Sequence, residues 1–95
     1  MAHRQESLEL LRQTHDFPTC VMFKVIGENE PGFVARVVAT VRDAVHEDED
    51  PPFRTRETPN GRHISVTIEP YLTAAEQVLL VYARLRTVRG VVMLL

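Results

Sequence analysis

The chain has no tryptophan, one cysteine, four glycines and, among aromatic residues, only four phenylalanines and two tyrosines in 95 residues. The single cysteine, Cys20, excludes an internal disulfide and a cysteine-built zinc site. Nothing basic stands beside it in sequence, so it reads as a small buried hydrophobe rather than a reactive thiol. No apolar run approaches the about 18 residues that a membrane span requires. The mixed-charge start, Met1-Ala2-His3-Arg4-Gln5-Glu6, lacks the apolar core of a signal peptide. A formal net charge of -2 supplies no global basic field toward nucleic acid or membrane. The expectation is a cytoplasmic protein with neither as partner. G-x-S-x-G, a phosphate loop, H-E-x-x-H and a Cys/His nucleophile pairing are all missing, so a non-enzyme without cofactor or metal is expected. His46 stands near Glu47, Asp48 and Asp50, but the spacing fits no recognised metal site and reads as a solvated loop.

What is present is an ordinary globular composition, 44% hydrophobic and 25% charged, enough for one modest core. Residues 6–13 carry Leu8, Leu10 and Leu11 among charges and read as a short helix, ended before Asp16-Phe17-Pro18 because a residue preceding proline disfavours helix. Residues 19–26 alternate as a strand, with Val21, Phe23 and Val25 on one face and Cys20, Met22, Lys24 and Ile26 on the other. Residues 31–45 place Phe33, Val34, Val37, Val38, Val41, Ala44 and Val45 on a helical stripe, with Asn29 expected as the cap by residue type. Arg54 and Arg56 mark 53–57 as a charged edge strand. Asn60-Gly61 signals a hairpin turn into a strand over 62–69, whose Ile64, Val66 and Ile68 alternate with His63, Ser65 and Thr67.

Thr73-Ala74-Ala75-Glu76 has capping-box spacing and opens a second helix. Its expected buried stripe is Ala75, Val78, Leu79, Tyr82 and Leu85, with Leu80 and Val81 beside or outside it. Residues 87–95 end in Val91-Val92-Met93-Leu94-Leu95, apolar on both faces as in a strand covered from both sides. The order after the first helix is β-α-β-β-α-β. It predicts an α+β, ferredoxin-like sandwich: an antiparallel four-stranded sheet with two helices on one face, plus a short N-terminal helix. Right-handed crossovers put the first strand in the middle of that sheet. Residues 1–15 form an extension and residues 16–95 one domain.

Two resemblances add to this reading. Asp16-Phe17-Pro18-Thr19, Phe23-Lys24-Val25-Ile26-Gly27, Pro31, Val37-Val38 and Ile64-Ser65-Val66-Thr67-Ile68 resemble the YbeD-like family of small bacterial proteins of undefined function, over Asp16 to Leu95. Asn29-x-Pro31-Gly32-Phe33-x-Ala35-Arg36-Val37 is similar to the turn of ACT domains, regulatory modules that bind amino acids, usually at a subunit interface. The second resemblance implies a small anionic metabolite at Asn29, Gly32, Phe33 and Arg36.

From the residues themselves, a Pro-Gly corner at a helix start offers the backbone N–H groups of Gly32 and Phe33 to an anion, or merely turns the chain. The open sheet face, with Cys20, Met22, Lys24, His63, Ser65 and Thr67, and Val92 and Leu94 or their neighbours alongside, has three readings. It is covered by Leu8, Leu10 and Leu11, left half-solvated, or used as a contact surface. The contact surface expected from Met22, Lys24, His63, Leu80 and Val81 would take an unknown protein partner or a second copy in a homodimer. RNA binding on the shared topology is the weakest alternative, since outward aromatics are lacking. The functional expectation is a regulatory or protein-interaction adaptor, with amino-acid sensing as the alternative.

Overall fold

The computed structural model describes residues 2–95. In chain order the elements are α1 (Ala2–Thr14), β1 (Thr19–Cys20), β2 (Phe23–Glu28), α2 (Phe33–Ala44), β3 (Phe53–Glu57), β4 (His63–Ile68), β5 (Tyr71–Leu72), α3 (Ala75–Leu85) and β6 (Val91–Leu94). The main sheet has the order β3-β4-β2-β6, antiparallel throughout, so β2 is central as the crossover rule requires. Period-two alternation decides its faces. Phe23, Val25 and Gly27 of β2, with Ile64, Val66 and Ile68 of β4, are buried beneath α2 and α3. Valine is a poor helix former, so α2 owes its stability to this burial: Phe33, Val37, Val38, Val41 and Ala44 all face the core. The ring of Phe23 meets Tyr82 of α3 edge-on, 5.0 Å between centroids.

Several expectations are corrected. The expected 19–26 strand is two pieces. Pro70 interrupts the partner chain between β4 and β5, having no N–H to give a ladder. Its carbonyl accepts from the N–H of Val21, while Thr19–Cys20 pairs separately with Tyr71–Leu72. Cys20 is consequently an exposed thiol, not a core residue. The cap of α2 is Gly32, at φ 86, not Asn29. Glycine holds this left-handed conformation without the Cβ clash of other residues. The α3 start shifts by one residue: Gln77 rather than Glu76 reaches back, its side-chain oxygen accepting from the N–H groups of Thr73 (2.6 Å) and Ala74 (3.3 Å). β6 is not covered from both sides. It is an edge strand, and Val92, Met93 and Leu95 are exposed. Leu94 belongs to the helix side, packed on the core. A bulge between Ile26 and Gly27 sets Val92 out of register. Finally, α1 does not cover the open sheet face. It lies against α3, burying Leu8 and pairing Arg12 with Glu76 at 3.2 Å.

The C-terminus of α2 carries a testable strain. His46 sits at φ 56, its N–H donating to the Asp43 carbonyl, while the Glu47 N–H donates to Arg42. This is the Schellman pattern, which favours glycine at the left-handed position. Arg42 also holds the following acidic loop through Asp50 at 3.0 Å, and its pKa is raised by the hydrogen bonds it donates to Asp43 and then to Asp50. His46→Gly is expected to stabilise the chain by about 0.5–1 kcal/mol, the left-handed penalty less the extra freedom of glycine in the unfolded chain. Thermal melting checks it; a lower midpoint would contradict the conformational account.

Candidate functional site

The corner between β2 and α2 is built from Asn29, Glu30, Pro31 and Gly32. Backbone bonds close it: the Glu30 N–H donates to the Glu28 carbonyl at 2.9 Å and the Phe33 N–H to the Glu30 carbonyl at 3.2 Å. Asn29 turns toward the β3–β4 hairpin, its side-chain amide donating to the Gly61 carbonyl at 2.9 Å. Phe33 is fully buried, and its ring lies against Gly27 and Gly90, two positions without a Cβ. Arg36 returns from the first turn of α2. Its Nη2 pairs with Glu30 at 2.6 Å and donates to the Arg89 carbonyl at 3.1 Å. Its guanidinium carbon stands 5.9 Å from the Phe33 ring centre, and Nε is buried without a hydrogen-bond partner. Gly32, Phe33 and Arg36 are thus brought together, with Asn29 directed elsewhere. As it stands the corner is a clasp: Glu30 answers the Arg36 charge, and the Phe33 N–H is already engaged.

The second candidate is the uncovered sheet face. Register places Arg54 opposite Thr67, Thr67 opposite Lys24, and Lys24 beside Leu95 through paired backbone hydrogen bonds. The next row on the same face is Arg56, Ser65, Ile26 and Met93. One half of the face is therefore cationic and hydroxylic, and the other apolar. Arg54 pairs with Glu69 at 3.1 Å. Lys24 and Arg56 have no carboxylate within ion-pair distance among the described residues. The Ser65 hydroxyl donates to the Arg56 carbonyl at 3.3 Å. A 350 Å³ concavity lies over Lys24, Arg54, Arg56, Ser65 and Thr67. An adjoining one of 260 Å³ shares Lys24, Arg56 and Ser65 and is completed by Ile26, Glu57, Thr58 and Pro59.

The expected contact residues do not form one surface. Lys24 and half-buried His63 are on the open face, His63 at its far end opposite Glu28. Met22 is exposed but falls between β1 and β2, outside the main sheet. Leu80 is exposed on α3, in the helical layer on the other side of the sheet. Val81 is fully buried on the core side of α3 and belongs to no surface, a correction to its expected place. In the sequence Arg54 and Arg56 signal only an edge strand. Their i, i+2 spacing, joined to the hairpin register that sets Thr67 and Ser65 opposite them, places both on the open face.

Comparison with known proteins agrees with this architecture. The model of a family described as "Protein of unknown function (DUF493)" matches residues 12–95. A UPF0250 protein of Shewanella baltica is 32% identical over 76 residues, covering 80% of this chain and 84% of its own. One from Shewanella piezotolerans is 34% identical over the same length. Among solved structures, the ACT domain from the GTP pyrophosphokinase of Chlorobium tepidum superimposes with a TM-score of 0.56 over 81% of this chain and 97% of that one, at 14% identity. That likeness is one of fold alone. No helix among the described residues is long and apolar enough to cross a membrane. By extent of match and by sequence identity, the chain belongs to the DUF493 family of small proteins of unknown function, matching the YbeD-like resemblance, on an ACT-like, ferredoxin-like fold.

Proposed function

We propose that this chain is a non-catalytic regulatory adaptor that meets a protein partner through the apolar half of its open sheet face. The observation that supports this reading is the state of β6. It is an edge strand paired on one side only, to β2, Met93 and Leu95 stand exposed, and α1 packs elsewhere. An exposed apolar edge without a cover favours strand addition or face-to-face docking by another chain. Amino-acid sensing at the corner draws on the ACT likeness. It ranks second because the groups it needs, the Phe33 N–H and Arg36, are engaged within the chain.

The test compares co-purification from the native cytosol by the parent chain, Met93→Asp and Leu80→Asp. Specific retention lost only in Met93→Asp supports the sheet face. Loss only in Leu80→Asp moves the surface to the helical layer. Equal retention by all three removes the adaptor reading.

A further inference from the structure

We infer that the cationic half of the open sheet face is a binding site for a small phosphorylated ligand with an apolar or aromatic body, of the nucleoside monophosphate class. The site goes beyond the adaptor reading and lies on β3, β4 and β2 rather than on β6.

Three observations carry it. The first is convergence of charge. Neighbouring strands are about 4.8 Å apart, so Arg54 and Lys24, flanking Thr67 in one row, stand roughly 10 Å apart. Arg56 is two residues from Arg54, about 7 Å along the same strand. All three long cationic side chains line the same 350 Å³ concavity. Thr67, itself buried at 7% exposure, forms its floor. In a chain of net charge -2, three cations converging on one concavity oppose one another unless an anion joins them. Glu69 answers Arg54 alone, through an exposed pair of the weak kind.

The second observation is that the space has two parts. The 350 Å³ cationic concavity continues across Lys24, Arg56 and Ser65 into the 260 Å³ one, which Ile26, Glu57, Thr58 and Pro59 complete. Together they are of the size that takes a small ligand, with the charged head in one part and a flat apolar body in the other.

The third is the border. Glu28, opposite His63, and Glu69, paired with Arg54, stand at the two ends of this face. These carboxylates fence the cationic patch and repel a long polyanion, so the patch suits one phosphate rather than a nucleic-acid strand.

The test is a heteronuclear NMR titration of the full isolated chain with adenosine monophosphate. Inorganic phosphate, adenosine and a single-stranded oligonucleotide are run in parallel. Because no partner is present, the result is separate from that of the adaptor reading. The nucleotide is expected to shift the amides of Lys24, Ile26, Arg56, Ser65 and Thr67 with saturation by millimolar ligand. Inorganic phosphate is expected to reach only the Arg54–Thr67–Lys24 row and to bind at least about tenfold more weakly. Arg56→Gln lies on an exposed edge and should melt as the parent does, yet bind the nucleotide about tenfold more weakly. Three results overturn the inference: unmoved amides at millimolar nucleotide, equal affinity in Arg56→Gln, or binding of the oligonucleotide alone, which would make the face a nucleic-acid surface.

Discussion

Gly27→Ala is expected to lower stability by about 3 kcal/mol, although the same change in an ordinary strand interior helps by roughly 0.5–1 kcal/mol. The sign reverses because of what the new methyl group would meet. A Cβ at position 27 would overlap two carbons of the Phe33 ring and stand 2.7 Å from the Gly90 carbonyl oxygen. The ring is fully buried and the carbonyl belongs to the chain entering β6, so neither yields cheaply. Against a total stability of roughly 5–15 kcal/mol the loss is large. For a domain of this size it corresponds to a fall in melting midpoint of roughly 12–24 °C. Phe33→Leu in the same chain should recover part of the loss by withdrawing the ring edge, and only part, because the carbonyl remains. A double-mutant cycle followed by thermal melting measures that coupling. A Gly27→Ala chain that melts within a few degrees of the parent would show that Phe33 is loosely seated, and would return the corner to the list of places that open for a ligand.

The same corner shows what was legible in the sequence and what was not. Element order, the central place of β2, the buried triad Ile64, Val66 and Ile68, and the charged edge strand all follow from local periodicity and turn chemistry, and all agree with the structure. The motif from Asn29 to Arg36 was legible as a strand-to-helix turn. Its chemical meaning depends on partners far away in sequence: Gly61 for Asn29, Gly90 for the Phe33 ring, and the Arg89 carbonyl for Arg36. None of these is announced by spacing. Cys20 lies exposed in a small separate ladder because the chain it pairs with breaks from the main sheet at Pro70, fifty residues downstream. The cationic groove was missed for the opposite reason. Each of its residues was noted, but only the register of β3 on β4 on β2 assembles Arg54, Arg56 and Lys24 around Thr67. Local patterning thus specified the scaffold, whereas both candidate sites arise from long-range registration.

Helix α3 supplies the second large effect. Val78-Leu79-Leu80-Val81-Tyr82 is five consecutive apolar residues, so period alone cannot say which of Leu80 and Val81 faces inward. The structure decides it: Ala75, Val78, Val81 and Leu85 are buried, while Leu80 keeps 37% of its surface. The stripe is wide because α3 contacts α2, the sheet and α1 at once, and the docking of α1 was not evident in the sequence. Val81→Asp is therefore expected to cost more than about 3 kcal/mol, since the carboxyl group enters an apolar core with no partner. Leu80→Asp, one residue away and of the same chemistry, should stay within about 1 kcal/mol, the sum of a modest helix-propensity loss and a surface change. Urea unfolding of the two variants distinguishes them by midpoint, with similar slopes expected if both fold to the same compact state. Equal loss in both would mean that α1 covers Leu80 in solution. Equal tolerance would mean that α3 turns about its axis to bring Val81 outward, and the apolar surface of the helical layer would then have to be redrawn.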